Sequence, residues 1–428
     1  MMHQNFLEYN SLGAIRTGNI AVNFAVVLLF ALLNPLYAVS ICAVLNFLNY
    51  KINFWIFSVM FATSFGLFYF LRDWSIGYDA IAFLQEFQTV NSLSFRDIFN
   101  QFVANPHNRE LLWFTYLWLM RSIGDRVELF AFLNMFIIFL LTAYLGKVVN
   151  EKRFVVIILC ILFVDLGFLY NVYQVWRHTF ALLLFFIGIF LIEADKHRRL
   201  ARVLMYSSAL FHLVAIPIVA GYEFFTICNK INARSLQSKR FHVIIRYSIV
   251  IVVYTIFAVL FFILMDKYGT RILPIQYEIY VARDIADTRP GYGYLFNPLS
   301  YVLIFYLWFN RKKISKNDIF IGINYFVAIL VLLIIALPGT PVGRIIYFFL
   351  VGASILSGKL VLTGPRLGSI CLFTIIFYTF NILSKPVEFR GLSQLLGGDF
   401  LNPTYGLVGM ISYYDTSALS NLLSNIAF

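Results

Sequence analysis

Charged residues are scarce in this sequence. Asp, Glu, Lys and Arg make up only 13% of its 428 residues, against roughly 25% in a soluble domain. Hydrophobic residues make up 61% of the chain, and its mean hydropathy is +0.81. So few charges cannot cover a folded chain of this size in water. The composition therefore excludes an ordinary soluble protein and predicts a single integral membrane domain over residues 1–428.

Cysteine is rare as well, and the familiar catalytic motifs are missing. The four cysteines are Cys42, Cys160, Cys228 and Cys371, and no two share a loop. Their spacing predicts neither a disulfide framework nor a metal site. The sequence has no P-loop, dinucleotide-binding glycine motif, metal triad or Ser/His/Asp pattern. We therefore expect neither metal nor cofactor, so arginines would have to recognise any phosphate group.

Long apolar runs are abundant, and each is separated from the next by a polar or basic loop. Lipid-exposed backbone must satisfy its own hydrogen bonds, so runs of this kind predict helices. The sequence predicts an all-α polytopic protein with about ten transmembrane helices. The predicted spans are residues 19–48, 54–71, 127–145, 154–170, 180–192, 249–265, 299–309, 320–337, 345–356 and 367–383.

Two further apolar runs do not fit a simple crossing. Residues 111–120 are too short, because a span needs about 20 residues, and predict a half-helix that dips into the membrane. Residues 203–225 have basic residues on both flanks and contain His212 and Pro217. A single crossing would place basic residues on both sides, so we predict a broken, re-entrant hairpin there.

The charge distribution sets the predicted orientation. The chain carries 33 Lys and Arg residues and a net charge of +12, which the positive-inside rule explains without nucleic acid as a partner. The basic loops are predicted to be cytoplasmic, and segments 72–126 and 266–297 to be extracytoplasmic and to line the site. Arg72, Arg177 and Arg344 then all reach the extracytoplasmic side.

These three arginines are the candidate phosphate-binding residues. A planar guanidinium binds phosphate oxygens through two parallel hydrogen bonds, so three at equivalent depths suit a phosphate-bearing lipid. Each one alone is a weak signal, because an arginine at the end of a span can also be an interfacial anchor whose charge reaches toward water. His178 and Tyr78, which neighbour two of the motifs, are candidate substrate contacts.

Three residues are candidate catalytic groups. Asp79 can act as a general base or serve as a helix cap and partner of Arg72. Glu110 opens the predicted half-helix, where a carboxylate also favours the helix N-terminus. His212 lies at predicted membrane depth, where an ionisable residue is costly and marks a functional site by default. His178 is an alternative base.

The order of these motifs resembles a known group of enzymes. Arg72 is followed after four residues by Gly77-Tyr78-Asp79, Arg177 opens a later span, Phe211-His212 follows, and Arg344 precedes Tyr347. This order is similar to that of bacterial O-antigen polymerases (Wzy) and EpsG-type exopolysaccharide polymerases.

The resemblance implies both a fold and an activity. It implies a GT-C-like membrane glycosyltransferase, independent of metal, in the bacterial inner membrane with its site facing the periplasm. Such proteins join undecaprenyl-diphosphate-linked repeat units into polysaccharide. Membrane lipids and a chain-length regulator are the other partners that it suggests. The arginines would stabilise the departing diphosphate, and His212 or Asp79 would deprotonate the acceptor hydroxyl.

Other functions stay open at this point. An O-antigen ligase would use the same donor but pass the glycan to a lipid A core. A flippase or transporter for a lipid-linked sugar is the alternative from another class, although no internal repeat of the kind common in transporters is visible. A glycan acyltransferase would need a His/Asp arrangement that the sequence does not show.

Replacing Arg72, Arg177 or Arg344 with alanine should cost about 2.7–4 kcal/mol of transition-state stabilisation if the site excludes water. Cells that carry each variant are expected to lose full-length polymer on a glycan gel. Unchanged polymer length in all three variants would contradict the predicted role of the arginines.

Overall fold

The computed structural model describes residues 20–70, 78–90, 94, 96–97, 99–100, 110–163, 168–169, 172, 175–235, 315–335, 342–363, 407 and 410. Within these residues the regular structure is helical and contains no strand, which confirms the all-α prediction. The chain divides into two compact units. Unit 1 comprises Met1–Ser92, Leu117–Thr179 and Tyr378–Phe428, and unit 2 comprises Leu93–Tyr116 and Phe180–Phe377.

The helices are numbered in chain order. Unit 1 contains α1–α4, α6 and α7, unit 2 contains α9–α12, and α5 and α8 have residues in both. Their bounds are α1 Ile20–Leu32, α2 Pro35–Phe47, α3 Phe54–Phe70, α4 Tyr78–Thr89, α5 Leu111–Ile123, α6 Val127–Val149, α7 Phe154–Phe163, α8 Trp176–Glu193, α9 Arg198–Phe211, α10 Ala215–Ser235, α11 Lys316–Ile335 and α12 Val342–Thr363.

The first predicted span is two helices. α1 ends at Leu32 and α2 begins at Pro35, so the prediction of one continuous helical span over residues 19–48 was wrong. Asn34 caps α2, because its side-chain oxygen accepts a hydrogen bond from the backbone N–H of Leu36 at 3.0 Å. Asparagine is a preferred N-cap, and proline suits the first helical position, where an N–H would have no helical partner. The Asn-Pro pair therefore starts a new helix here.

A row of phenylalanines forms the core of unit 1. Phe57, Phe61 and Phe65 recur every fourth residue on one face of α3, and all three are fully buried. The Phe65 ring lies 4.6 Å from Phe139 of α6, and the Phe57 ring lies 5.4 Å from Phe154 of α7. Such pairs contribute about 0.5–1.5 kcal/mol each beyond the burial of their area. They hold α3 against α6 and α7.

Two basic loops of unit 1 touch one another. The buried Asn46 amide donates a hydrogen bond to the carbonyl oxygen of Lys152 at 3.0 Å. Nη2 of Arg153 donates to the side-chain oxygen of Asn49 at 2.7 Å. The loop around Lys51 and the loop over residues 147–153 therefore lie at the same end of unit 1. The charge pattern had predicted them to share one side of the membrane.

Predicted segment 72–126 contains ordered helices, α4 and α5, and a short capped turn. Ser94 Oγ donates a hydrogen bond to Asp97 Oδ2 at 2.6 Å, and the Ser94 backbone N–H donates to the same oxygen at 3.0 Å. These two hydrogen bonds lower the pKa of the exposed Asp97 carboxyl. The backbone N–H of Asp97 in turn donates to Ser94 Oγ, as in a capping box.

Unit 2 contains the predicted hairpin. α9 and α10 are separated by residues 212–214, so the apolar run over 203–225 is broken next to His212, as predicted. Tyr206 donates a hydrogen bond to Glu223 Oε1 at 2.7 Å. Tyr206 lies five residues before the end of α9 and Glu223 lies eight residues after the start of α10, so the two helices fold back on each other. Re-entry of this hairpin into a membrane stays a prediction.

Three helix ends meet at one end of unit 2. Lys359, near the end of α12, lies 2.7 Å from Oδ1 of Asp318 in the first turn of α11 and 4.0 Å from Glu193 at the end of α8. The Asp318 side chain is only 3% exposed. Asn317 supports this arrangement by donating to the carbonyl oxygen of Ile189 at 2.7 Å. This end joins loops that the charge pattern predicts to be cytoplasmic.

Helices α8 and α12 run in parallel within unit 2. The Phe186 ring lies 6.5 Å from Phe348, and further along both helices Lys359 Nζ lies 4.7 Å from the Phe190 ring. α9 runs antiparallel to α8, since Gly188 packs on Ala201 near the start of α9 while Phe180 stacks on Phe211 at its end. The start of α12 and the end of α9 therefore both lie opposite the Lys359 cluster.

The outer surface carries exposed apolar side chains. On α1, Ile20, Phe24, Leu28 and Leu32 recur every fourth residue with 67, 64, 41 and 57% of their surface exposed. Such a stripe suits lipid better than water. Among the described residues, α6 and α8 are long and apolar enough to cross a membrane. The fold is consistent with an α-helical membrane protein.

Several predicted features lie outside the described residues. These are the predicted spans over 249–265, 299–309 and 367–383 and the predicted extracytoplasmic segment over 266–297. The number of spans stays a prediction.

Gly188→Ala should destabilise the protein because a Cβ at this position would lie 2.7 Å from the backbone oxygen of Ala201 and 2.9 Å from the backbone nitrogen of Met205. Overpacking of this kind costs about 1–3 kcal/mol, which the better helix propensity of alanine, about 1 kcal/mol, offsets only in part. Thermal unfolding of the purified protein in detergent measures the loss. Gly124→Ala is the matched control, because its Cβ would meet only the flexible end of Leu129. A Gly188→Ala variant that melts no lower than the control would contradict the packing described here.

Candidate functional site

A buried carboxylate and a buried imidazole meet in unit 2. Nδ1 of His212 lies 2.5 Å from Oε1 of Glu110, and the two residues are 102 positions apart in the chain. Their side chains are 9% and 10% exposed. The sequence predicted each as a catalytic candidate, and the structure brings them together.

Each of these residues lies at the end of a helix. Glu110 directly precedes α5, and its carbonyl oxygen accepts hydrogen bonds from the backbone N–H groups of Trp113 and Phe114. The positive end of the α5 dipole favours its carboxylate. His212 follows α9 in extended conformation, with its own N–H donating to the carbonyl oxygen of Ser208. A cation is favourable at this C-terminal end, so the two helix dipoles suit the charges that the pair can carry.

An aromatic cluster holds the two helix ends together. Phe211 stacks on Phe180 of α8 with ring centroids 5.4 Å apart. Tyr116 of α5 lies 5.0 Å from the Phe180 ring and 6.3 Å from the Phe211 ring. Trp113, one turn after Glu110, is fully buried and lies 5.7 Å from Tyr116. These rings fix α5 against α9 and so fix Glu110 against His212.

The geometry suits proton transfer. A carboxylate that accepts the Nδ1–H of an imidazole sets the tautomer, which leaves Nε2 as the nitrogen that can take up a proton. The carboxylate also stabilises the imidazolium that forms when Nε2 is protonated. In low-dielectric surroundings these effects are stronger than in water. The arrangement therefore suits a general base, His212, with a carboxylate that orients it, Glu110.

Arg344 lies at the same end of unit 2 as this pair. It occupies the first turn of α12, which begins opposite the Lys359 cluster, as does the end of α9 at Phe211. The side chain of Arg344 lies outside what the structure describes.

Arg177 belongs to unit 1 and contacts α4. Its Nη1 lies 3.9 Å from Oε1 of Glu86, and its guanidinium carbon lies 4.8 Å from the centre of the Phe83 ring. Arg177 and Glu86 each keep 28% of their side-chain surface exposed. Trp176 packs on the same Phe83 ring at 5.4 Å, and His178 is buried. Arg177 is thus held on an aromatic face next to a carboxylate.

The remaining predicted site residues are described only in part. Arg72 lies outside the described residues, and Tyr78 and Asp79 form the first turn of α4 without described side chains. Asp79 precedes Phe83 by one turn of α4. Glu86 was missed by the sequence prediction. Its spacing of seven residues from Asp79 would have indicated a shared helix face.

Comparison with known protein families, curated proteins and solved structures found no match to this chain.

Arg177→Gln should leave stability nearly unchanged, because its contact with Glu86 is long and partly exposed, and such pairs contribute about 0–1 kcal/mol. Lys359→Gln is the contrasting variant. It leaves the buried carboxylate of Asp318 without its cation, which costs about 3–5 kcal/mol in a buried pair. Thermal unfolding of the two purified variants compares them directly. A large loss of stability for Arg177→Gln would mean that this arginine acts in folding, which contradicts its assignment to substrate binding.

Proposed function

We propose that this chain is a membrane glycosyltransferase that joins undecaprenyl-diphosphate-linked oligosaccharide repeat units into O-antigen, capsular polysaccharide or exopolysaccharide on the periplasmic face. The observation that carries the proposal is the buried contact of His212 with Glu110 at 2.5 Å. It supplies a base with its orienting carboxylate in a chain whose composition and exposed apolar stripes suit a lipid-borne substrate.

In the proposed step, the acceptor hydroxyl of one repeat unit attacks the anomeric carbon of the other. The new glycosidic C–O bond forms as the bond from that carbon to the diphosphate oxygen breaks. The hydroxyl proton passes to Nε2 of His212, and the diphosphate leaves with the bonding electron pair. Glu110 acts as a positioning residue, since it touches the imidazole rather than the substrate. This step needs no oxidant, reductant or metal.

Negative charge develops on the leaving diphosphate, and an arginine is the side chain best suited to receive it. The backbone position of Arg344 at the Glu110–His212 end of unit 2 supports that role for it. The roles of Arg72 and Arg177 in binding the diphosphate, and those of His178, Tyr78 and Asp79, stay predictions from the sequence.

The buried polar residues favour an enzyme over a flippase. A transport path needs polar side chains that face a channel. In the described helices, Thr142, Asn324, Ser354 and Ser357 are buried, but each donates its hydrogen bond to a carbonyl oxygen one turn earlier in its own helix. These four residues are therefore satisfied within their own helices. The ionisable Glu110–His212 pair is instead confined to helix ends.

His212→Gln and Glu110→Gln should each abolish long polymer, because the first removes the base and the second removes the charge that orients it. Loss of a general base costs about 10²–10⁴ in rate. Both replacements keep a polar side chain that can still hydrogen-bond its partner, and thermal unfolding in detergent checks that each variant is folded. The measurement is glycan length on a gel from cells that carry each variant. Glu110→Asp, which keeps the carboxylate, should restore part of the polymer length.

The matched controls are His197→Gln and Glu151→Gln, which alter exposed residues of the same types. They should leave the length distribution unchanged. Single repeat units should accumulate at the outer face in the His212→Gln strain. Accumulation at the inner face would instead identify a flippase, and loss of transfer to lipid A core with normal polymer would identify a ligase. Either result would overturn the proposal.

A further inference from the structure

α9 combines exposed arginines with exposed aliphatic residues. Arg198, Arg199 and Arg202 lie in its first turns and are exposed, and no acidic residue lies in the first turn. Arg198 forms an ion pair with Asp195 just before the helix. Positive side chains oppose the helix dipole at an N-terminus. An external anion near Arg199 and Arg202 would relieve that opposition.

The opposite face of α9 is buried against the rest of unit 2. Ala201, Met205 and Ser208 recur at helical spacing and are buried. Gly188 of α8 approaches so closely that a Cβ would lie 2.7 Å from the carbonyl oxygen of Ala201. No ligand can enter between α8 and α9 here. Any partner of α9 must therefore bind its outer surface.

The outer surface has two adjoining strips. At about 100° per residue, Arg202, Tyr206 and Arg199 occupy one flank of the exposed surface, where Tyr206 donates a hydrogen bond to Glu223 of α10. The aliphatic residues begin beside Arg199 on the other flank. Leu200, Val203 and Leu210 are 52, 58 and 45% exposed. Large apolar side chains with half their surface exposed, directly beside a basic strip, match the pattern of a helix at a membrane surface.

α10 also carries exposed apolar residues. Ile216, Phe224 and Ile227 of that helix are 49, 51 and 53% exposed. Both helices of the hairpin thus expose apolar side chains, and the basic strip is confined to the end at which α9 starts.

We propose that the outer surface of α9 binds anionic phospholipids. Arg199 and Arg202 contact the headgroup phosphates, and Leu200, Val203 and Leu210 lie among the acyl chains. The charge pattern of the sequence predicts that this leaflet is the cytoplasmic one. This inference depends on the chain being embedded in a membrane and is independent of the polymerase proposal.

A lipid explains both strips, whereas other anions explain one. Free phosphate would satisfy the arginines and leave the aliphatic strip in water. An anionic phospholipid carries the phosphate and the apolar chains in one molecule, in the same order as the two strips. Each basic residue near such a surface strengthens binding, so two arginines correspond to about a thirty-fold change in affinity.

The test uses the purified full chain in detergent, titrated with phosphatidylglycerol or with phosphatidylcholine, and native mass spectrometry to measure bound lipid. Wild-type protein should bind phosphatidylglycerol more tightly than phosphatidylcholine. Arg199→Gln/Arg202→Gln should weaken phosphatidylglycerol binding about thirty-fold and leave phosphatidylcholine binding unchanged. The matched control, Arg199→Lys/Arg202→Lys, keeps the charge and should keep most of the preference.

Two further measurements distinguish a lipid headgroup from free phosphate as the anion that binds. Inorganic phosphate should fail to displace phosphatidylglycerol, because it makes no apolar contact. Leu200→Ser/Val203→Ser should weaken binding of both lipids. Equal binding of the two lipids by wild-type protein, or full displacement by inorganic phosphate, would overturn the proposal. Unchanged thermal unfolding in lipid-free detergent shows that the exposed substitutions leave the fold intact.

Discussion

The contact between Glu110 and His212 is the constraint on which the account of unit 2 depends. An ionised carboxylate in apolar surroundings costs several kcal/mol unless a partner compensates it. Here the compensation comes from an imidazole and from the end of α5. The hairpin turn, the break after Phe211 and the aromatic cluster around Phe180 all serve to bring these groups together.

Each unit also gathers basic residues at one end. In unit 1 the loops of Lys51 and Lys152 touch, and in unit 2 the ends of α8, α11 and α12 meet around Lys359. Within unit 2 the Glu110–His212 pair and the start of α12 lie at the other end. In unit 2 the cluster around Lys359 and the Glu110–His212 pair therefore lie at opposite ends.

The sequence alone predicted helices, the break at His212 and the grouping of the basic loops. Local hydropathy indicates where a helix forms, and the charge of a loop indicates on which side of a membrane it lies. The sequence did not predict that Asn34 starts a new helix, since a proline can either kink a helix or stand at the start of one. It also could not pair Glu110 with His212 or Arg177 with Glu86. Those contacts depend on how α5 packs on α9 and α4 on α8, and single-sequence periodicity carries no information about which faces meet.

The most direct test is the turnover of purified protein supplied with a repeat unit on a polyprenyl diphosphate. If His212 is the base that Glu110 orients, His212→Gln should lower kcat by about 10²–10⁴ while the KM for the lipid-linked donor stays close to that of the wild-type protein. An unchanged kcat in a folded His212→Gln protein would contradict the central claim.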